Sequence, residues 1–203
     1  MKKMCLLVAL VSLAACSSDE NITNLNNEEV QNFSKKDSNS KEMSLFDIQN
    51  EIVAKYNDTN LSNYSIENKI ASLKGIAKDN TAFFNLANGI IPDFTIQQVN
   101  EVLNNTNSLY ESLNVTSDVK DIVSEIVEGN LSKDEIYELI QNNSTFTNSQ
   151  VEMLTFLADN GDDDKDRLDI TWRKRRAIVS INAYQLSPAQ AVFSSSVITV
   201  IAE

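Results

Sequence analysis

The chain reads as an all-α protein, a bundle of short helices, on three observations. Four helix-start signatures recur, Ser44 with Asp47, Thr95 with Gln98, Ser132 with Glu135 and Thr147 with Gln150, each a hydroxyl residue followed three positions later by an acid or an amide. Behind these starts, apolar residues return at the spacing of one helical face. Period-two alternation over five or more residues is scarce, and no hairpin dipeptide stands between strand-like runs.

Taken in order, Ser44 opens a face of Leu45, Ile48, Ile52 and Tyr56. Ser65 opens Ile66, Ile70, Leu73 and Ala77; Asp79-Asn80 interrupts, and Phe83, Phe84 and Leu86 resume until Gly89. Ile90-Ile91-Pro92 is a connection, and Thr95 then starts one run through Ile96, Val99, Leu103, Tyr110 and Leu113. Ser117 starts Val119, Ile122, Val123, Ile126 and Val127, which Gly129 closes as a C-cap. Two shorter helices follow, with Ile136, Leu139 and Ile140 on one and Val151, Leu154 and Leu157 on the next. Ser187-Pro188-Ala189-Gln190 places an N-cap, a Pro at the first helical position and a Gln at the third, so the C-terminal stretch divides into helices over about 169–185 and 188–202. No side-chain pattern recurs at a fixed period, so no repeat family is indicated.

Ahead of this domain, Lys2 and Lys3 form a positive region, Leu6 to Leu13 an apolar stretch, and Ala14 and Ala15 a small-residue zone. The run Leu13-Ala14-Ala15-Cys16 resembles the lipobox of bacterial lipoproteins. That resemblance covers the export segment only. It implies that residues 1–15 are a signal peptide, that cleavage falls before Cys16, and that Cys16 carries acyl chains. The apolar run is far shorter than the roughly 20 residues of a spanning helix, whereas two or more acyl chains anchor a protein durably. Cleavage would leave 188 residues with Cys5 gone and Cys16 in thioether linkage, hence no disulfide. Ser17-Ser18-Asp19-Glu20 is similar to the export signal of surface lipoproteins in some Gram-negative bacteria; the competing reading is that Asp19 and Glu20 begin a solvated tether. From Ser17 to Met43 the composition is polar and aperiodic, which is that of a disordered spacer with a span of roughly 30 Å. The expected organisation is therefore 1–15 signal peptide, 16–43 lipidated Cys and tether, and 44–203 a single helical domain.

Composition closes many chemistries. With no His, two Cys and four Gly among 203 residues, no Ser-His-Asp triad, Cys-His pair, His-ligated metal or Gly-rich phosphate loop can be built. Carboxylates are too numerous for any pair to be singled out as a glycosidase acid and base. No enzyme and no cofactor is expected, and a net charge of −12 offers nothing to nucleic acid. One weak metal pattern exists: Asp162, Asp164 and Asp166 alternate and could converge on Ca²⁺. Arg167 stands where a calcium loop of the EF-hand type needs Gly, and no bidentate Glu follows, so the preferred reading is that Gly161 ends one helix and the aspartates favour the positive start of the next.

Charge is distributed unevenly. Asp93 to Asp164 carries 15 acidic and two basic residues, and Lys165 to Arg176 carries six basic and two acidic. The acidic helices read as a solvated face or as a docking surface for a cationic protein partner. The basic run Trp172-Arg173-Lys174-Arg175-Arg176 is followed by 26 uncharged residues, Ala177 to Ala202. Three readings fit that tail: a buried hairpin at the centre of the bundle, a membrane-active segment with Trp172 at headgroup level, or a strand pair built on the β-branched run Val197 to Ile201. The expected function is a lipid-anchored envelope protein of a Gram-negative outer membrane that binds or scaffolds; the alternative is a membrane-active or toxin-like protein whose segment 172–203 is the effector.

Overall fold

The computed structural model describes residues 43–59, 64–160 and 169–201. The chain divides into two units, Met1–Ser40 and Lys41–Glu203, and every described residue belongs to the second. Among the described residues there are ten α-helices and no strand, the all-α bundle of short helices that the capping signals predict.

Helix α1 (Leu45–Asn57) begins with a complete capping box: the Ser44 hydroxyl accepts from the Asp47 amide at 3.1 Å and the Asp47 carboxylate accepts from the Ser44 amide at 3.2 Å. Helix α2 (Ile66–Asp79) starts at Ser65 and meets α3 (Thr81–Leu86) at Asn80. Asn80 serves both helices, because its side-chain oxygen accepts from the Phe83 amide while its side-chain amide donates to Glu51 of α1, both at 2.8 Å. Beyond α3 the chain turns through Asn88 and Gly89, both at positive φ.

The run expected from Ile96 to Leu113 is two helices, α4 (Ile96–Asn104) and α5 (Thr106–Glu111), joined at Asn105. Asn104 and Asn105 are poor helix formers, and the buried Thr106 hydroxyl donates back to the Val102 carbonyl at 2.8 Å, which stabilises the break. Helix α6 (Ser117–Glu128) has Thr116 at its N-cap position, one residue earlier than expected and with no side-chain cap bond, and ends on Gly129 in the left-handed region at φ 68°. Helices α7 (Lys133–Asn142) and α8 (Asn148–Asp159) open with the predicted boxes at Ser132/Glu135 and Thr147/Gln150.

The C-terminal hairpin is α9 (Ile170–Tyr184) and α10 (Pro188–Ile201). Residues 197–201 are helical, so the strand-pair reading fails. Their β-branched side chains are accommodated because burial on all sides outweighs a weak strand preference. Eleven residues of α10 are buried, including the consecutive Ser194, Ser195 and Ser196. A helix buried all round finds most of the partners for its polar atoms within the fold. Ser196 donates to the Val192 carbonyl at 2.8 Å, Ser195 pairs with Ser180 of α9 at 2.9 Å, and Ser194 accepts from Gln190 at 3.1 Å.

This hairpin is the spine of the fold. Helices α1, α2 and α3 pack on α10, α4, α5, α6 and α8 pack on α9, and α7 closes over α6 and α8. The core accordingly falls into two apolar clusters. The first joins Ile52, Leu73, Phe83 and Val99 to Phe193 and Ile198, with the Phe83 and Phe193 rings 6.3 Å apart in a tilted pair. The second joins Val123, Ile140, Leu154 and Leu157 to Ala177 and Ile181. Helix α9 serves both, giving Ile178, Val179 and Ala183 to the first.

Candidate functional site

The basic run opening α9 lies within the fold. Asp169 caps the helix, accepting from the Thr171 amide at 2.8 Å, and the next turn places four cations against neighbouring helices. Arg175 donates to the Leu103 carbonyl and the Thr106 hydroxyl, each at 3.2 Å. Arg173 donates to the Val127 carbonyl at 3.3 Å, and Arg176, itself buried, donates to the Asn160 carbonyl. These carbonyls belong to the C-terminal ends of α4, α6 and α8, where unpaired C=O groups and the helix dipole favour positive charge. Lys174 donates to Asn107 at 3.0 Å and lies 5.2 Å from the Tyr110 ring. Trp172 is buried with the Arg176 guanidinium 4.4 Å from its ring centroid, a cation–π contact inside the bundle.

The carboxylates are arranged in the opposite way. Asp118, Asp121 and Glu128 of α6 and Asp134, Glu135 and Glu138 of α7 are all exposed. Glu135 is held below the usual carboxylate range by hydrogen bonds from the Ser132 hydroxyl and amide. Asp159 is the inward exception on α8, with Lys133 at 3.0 Å and the Tyr137 hydroxyl donating to it.

Three grooves lie around α8 and the turn between α9 and α10. The first, about 710 Å³, runs between α1, α3 and α8 and is lined by Phe46, Leu86 and Phe156 with Glu152 and Asp159. The second, about 730 Å³, lies between the starts of α6 and α8 and the α9–α10 turn, over Val119 and Met153. Glu152 lines both, and the Tyr184 hydroxyl donates to it. Burial, followed by that hydrogen bond and the Glu152 charge, raises the Tyr184 pKa, which keeps the phenol protonated as a donor. The third groove, about 240 Å³, has Phe94, Val102 and Val179 on its walls and Glu101 and Gln190 at its edge. Leu186 lines the second and third grooves and is 78% exposed. Among the described residues that line these three grooves there is no Lys or Arg.

Cys16 and the aspartates Asp162, Asp164 and Asp166 lie outside the described residues. Among the described residues no group of three or more Cys, Asp or Glu side chains is placed to hold a metal, and no helix is long and apolar enough to cross a membrane. The trio Glu152, Tyr184 and Leu186 is absent from the sequence reading. Its one local signal is that Leu186 falls in the connection just before the Ser187-Pro188 helix start, where an apolar side chain has no helical face to join. No protein-family model, no curated protein and no solved structure matches the chain.

Proposed function

We propose that this is a lipid-anchored protein of a Gram-negative bacterial envelope, held to the outer membrane through acyl chains on Cys16, in which the helical domain binds or scaffolds a partner and performs no catalysis. The anchoring rests on the order of charge, apolar stretch, small residues and Cys in residues 2–16. The observation that carries the binding role is the division of charge within the domain. The cations of α9 are engaged by neighbouring helices, Arg176 buried and Arg173, Lys174 and Arg175 half-buried, whereas all the carboxylates of α6 and α7 but the half-buried Glu125 are exposed. A surface of one sign steers and orients partners of the other, so the partner is a cationic protein. The competing role, with segment 172–203 as a membrane effector, would require α9 and α10 to leave both apolar clusters and α9 to surrender its bonds to three helix ends.

The anchoring is tested by feeding cells an alkyne-tagged palmitate and fractionating their membranes. The wild-type chain is expected to take up the label and sediment with the outer membrane, and Cys16→Ser to do neither. An unlabelled wild-type chain in the soluble fraction would contradict it.

A further inference from the structure

The acidic character of the domain names the sign of a partner and leaves its docking place open. Exposed carboxylates on α6 and α7 attract cations generally, but the cavity between those helices, about 170 Å³ over Ile126, Leu131 and Ile136, is lined by Lys133 and Arg173 and by no carboxylate. The surface around the α9–α10 turn differs, because there apolar concavity and carboxylate occur together. Leu186 stands almost fully in solvent on a connection, with an apolar-floored groove on each side. One groove carries Glu152 and the other Glu101. The larger has the volume of a ligand pocket, and the smaller, about 240 Å³, falls just below that range.

The position is fixed by the fold. Gln185 donates to the Asn114 carbonyl at 3.1 Å, tying the turn to the chain ahead of α6, and Gln190 donates to the Asp93 carbonyl at 2.9 Å, tying the start of α10 to the chain ahead of α4. A leucine on a turn whose two flanks are tied down by hydrogen bonds loses less backbone freedom on binding than one on an untethered loop, which suits an anchor residue. Tyr184 holds Glu152 from one side through its hydroxyl, so that carboxylate is also held in place.

We propose that Leu186 and the two grooves it divides form the docking surface for a partner segment in which apolar and basic residues interleave. The apolar side chains enter the grooves over Val119 and Met153 on one side and Val102 and Val179 on the other, and the basic ones meet Glu152 and Glu101. Charge complementarity selects this occupant. A phosphate backbone or an anionic lipid surface meets carboxylates here with no Lys or Arg among the described lining residues, and is repelled. This rests on the proposal of a cationic partner and narrows it to one surface.

The test uses the full chain with Cys16→Ser and a fluorescein-labelled peptide of alternating Leu and Lys, with a Leu and Glu peptide as control, read by fluorescence anisotropy. The Leu/Lys peptide is expected to bind and the Leu/Glu peptide to fail. Leu186→Asp is expected to weaken binding at least about tenfold, and the double variant Glu101→Gln, Glu152→Gln to weaken it and flatten its salt dependence, each with thermal melting unchanged. The double variant Asp134→Asn, Glu138→Gln on α7 is expected to leave binding within about twofold. Binding that ignores Leu186→Asp but falls with the α7 variant would overturn the docking surface while sparing the cationic partner. A chain to which the Leu/Lys peptide does not bind would overturn both.

Discussion

Helices α9 and α10 are consecutive, both are central, and they are stabilised in opposite ways. Helix α9 begins with four cations, and its arginines reach sideways to the C-terminal carbonyls of α4, α6 and α8. Helix α10 carries no charge from Pro188 to Ile201 and is buried by packing, with its serines bonded to its own turns and to α9. One helix gathers the ends of its neighbours and the other fills the space between them. The contrast teaches that a basic cluster followed by an uncharged stretch, which in isolation resembles an interfacial effector, can equally be the inner framework of a bundle of short helices. Short helices make the difference. Each adds up to four unpaired C-terminal carbonyls, and a domain with many helix ends gains from cations placed at its centre.

The harshest change removes α10 together with the second half of α9. Deleting Ala177 to Glu203 takes residues from both apolar clusters, and the truncated chain is expected to lose cooperative thermal melting by circular dichroism. Within α10, Phe193→Ala removes a fully buried ring that packs on Phe83, and its cost is expected at about 3–5 kcal/mol by denaturant titration. Within α9, Arg176→Met keeps the volume but gives up the bond to Asn160 and the contact with Trp172; loss of about 1.5–3 kcal/mol is expected from the same titration. Equal costs for Phe193→Ala and an exposed-site control would break the packing half of the comparison, and a silent Arg176→Met would break the capping half.

Smaller effects sharpen it. At Gly129 the backbone is left-handed and an added Cβ would run into the Arg173 guanidinium, so Gly129→Ala should cost about 1–2 kcal/mol and displace the arginine from Val127. In the other direction, the Thr199 hydroxyl of α10 is buried with no hydrogen-bond partner among the described residues. Thr199→Val keeps the shape and removes that group, and a gain of about 1 kcal/mol is expected, seen as a raised melting temperature.

Most of the helix framework was legible because its signals are local. A Ser or Thr three residues before an acid or amide needs no tertiary partner to be read, and all four predicted boxes form. The break at Asn105 is hidden because the apolar spacing continues across it, and its marks are the weak helix formers Asn104 and Asn105 and the Thr106 hydroxyl turning back on Val102. The targets of the arginines were illegible for a different reason. Arg175 and Leu103 are 72 residues apart, and nothing in either neighbourhood names the other. The same holds for Glu152 and Tyr184, 32 residues apart, whose pairing creates the candidate surface beside Leu186.

Native-state hydrogen exchange of the backbone amides reads out whether the C-terminal hairpin is the shared framework of the domain. The α9 and α10 amides are expected to be among the slowest to exchange, with the free energy of global unfolding, because α9 enters both apolar clusters and α10 is buried along its length in the first. Rapid exchange in α9 and α10, while α1, α2, α6 and α8 stay protected, would show a hairpin that leaves an otherwise intact domain and would contradict the account.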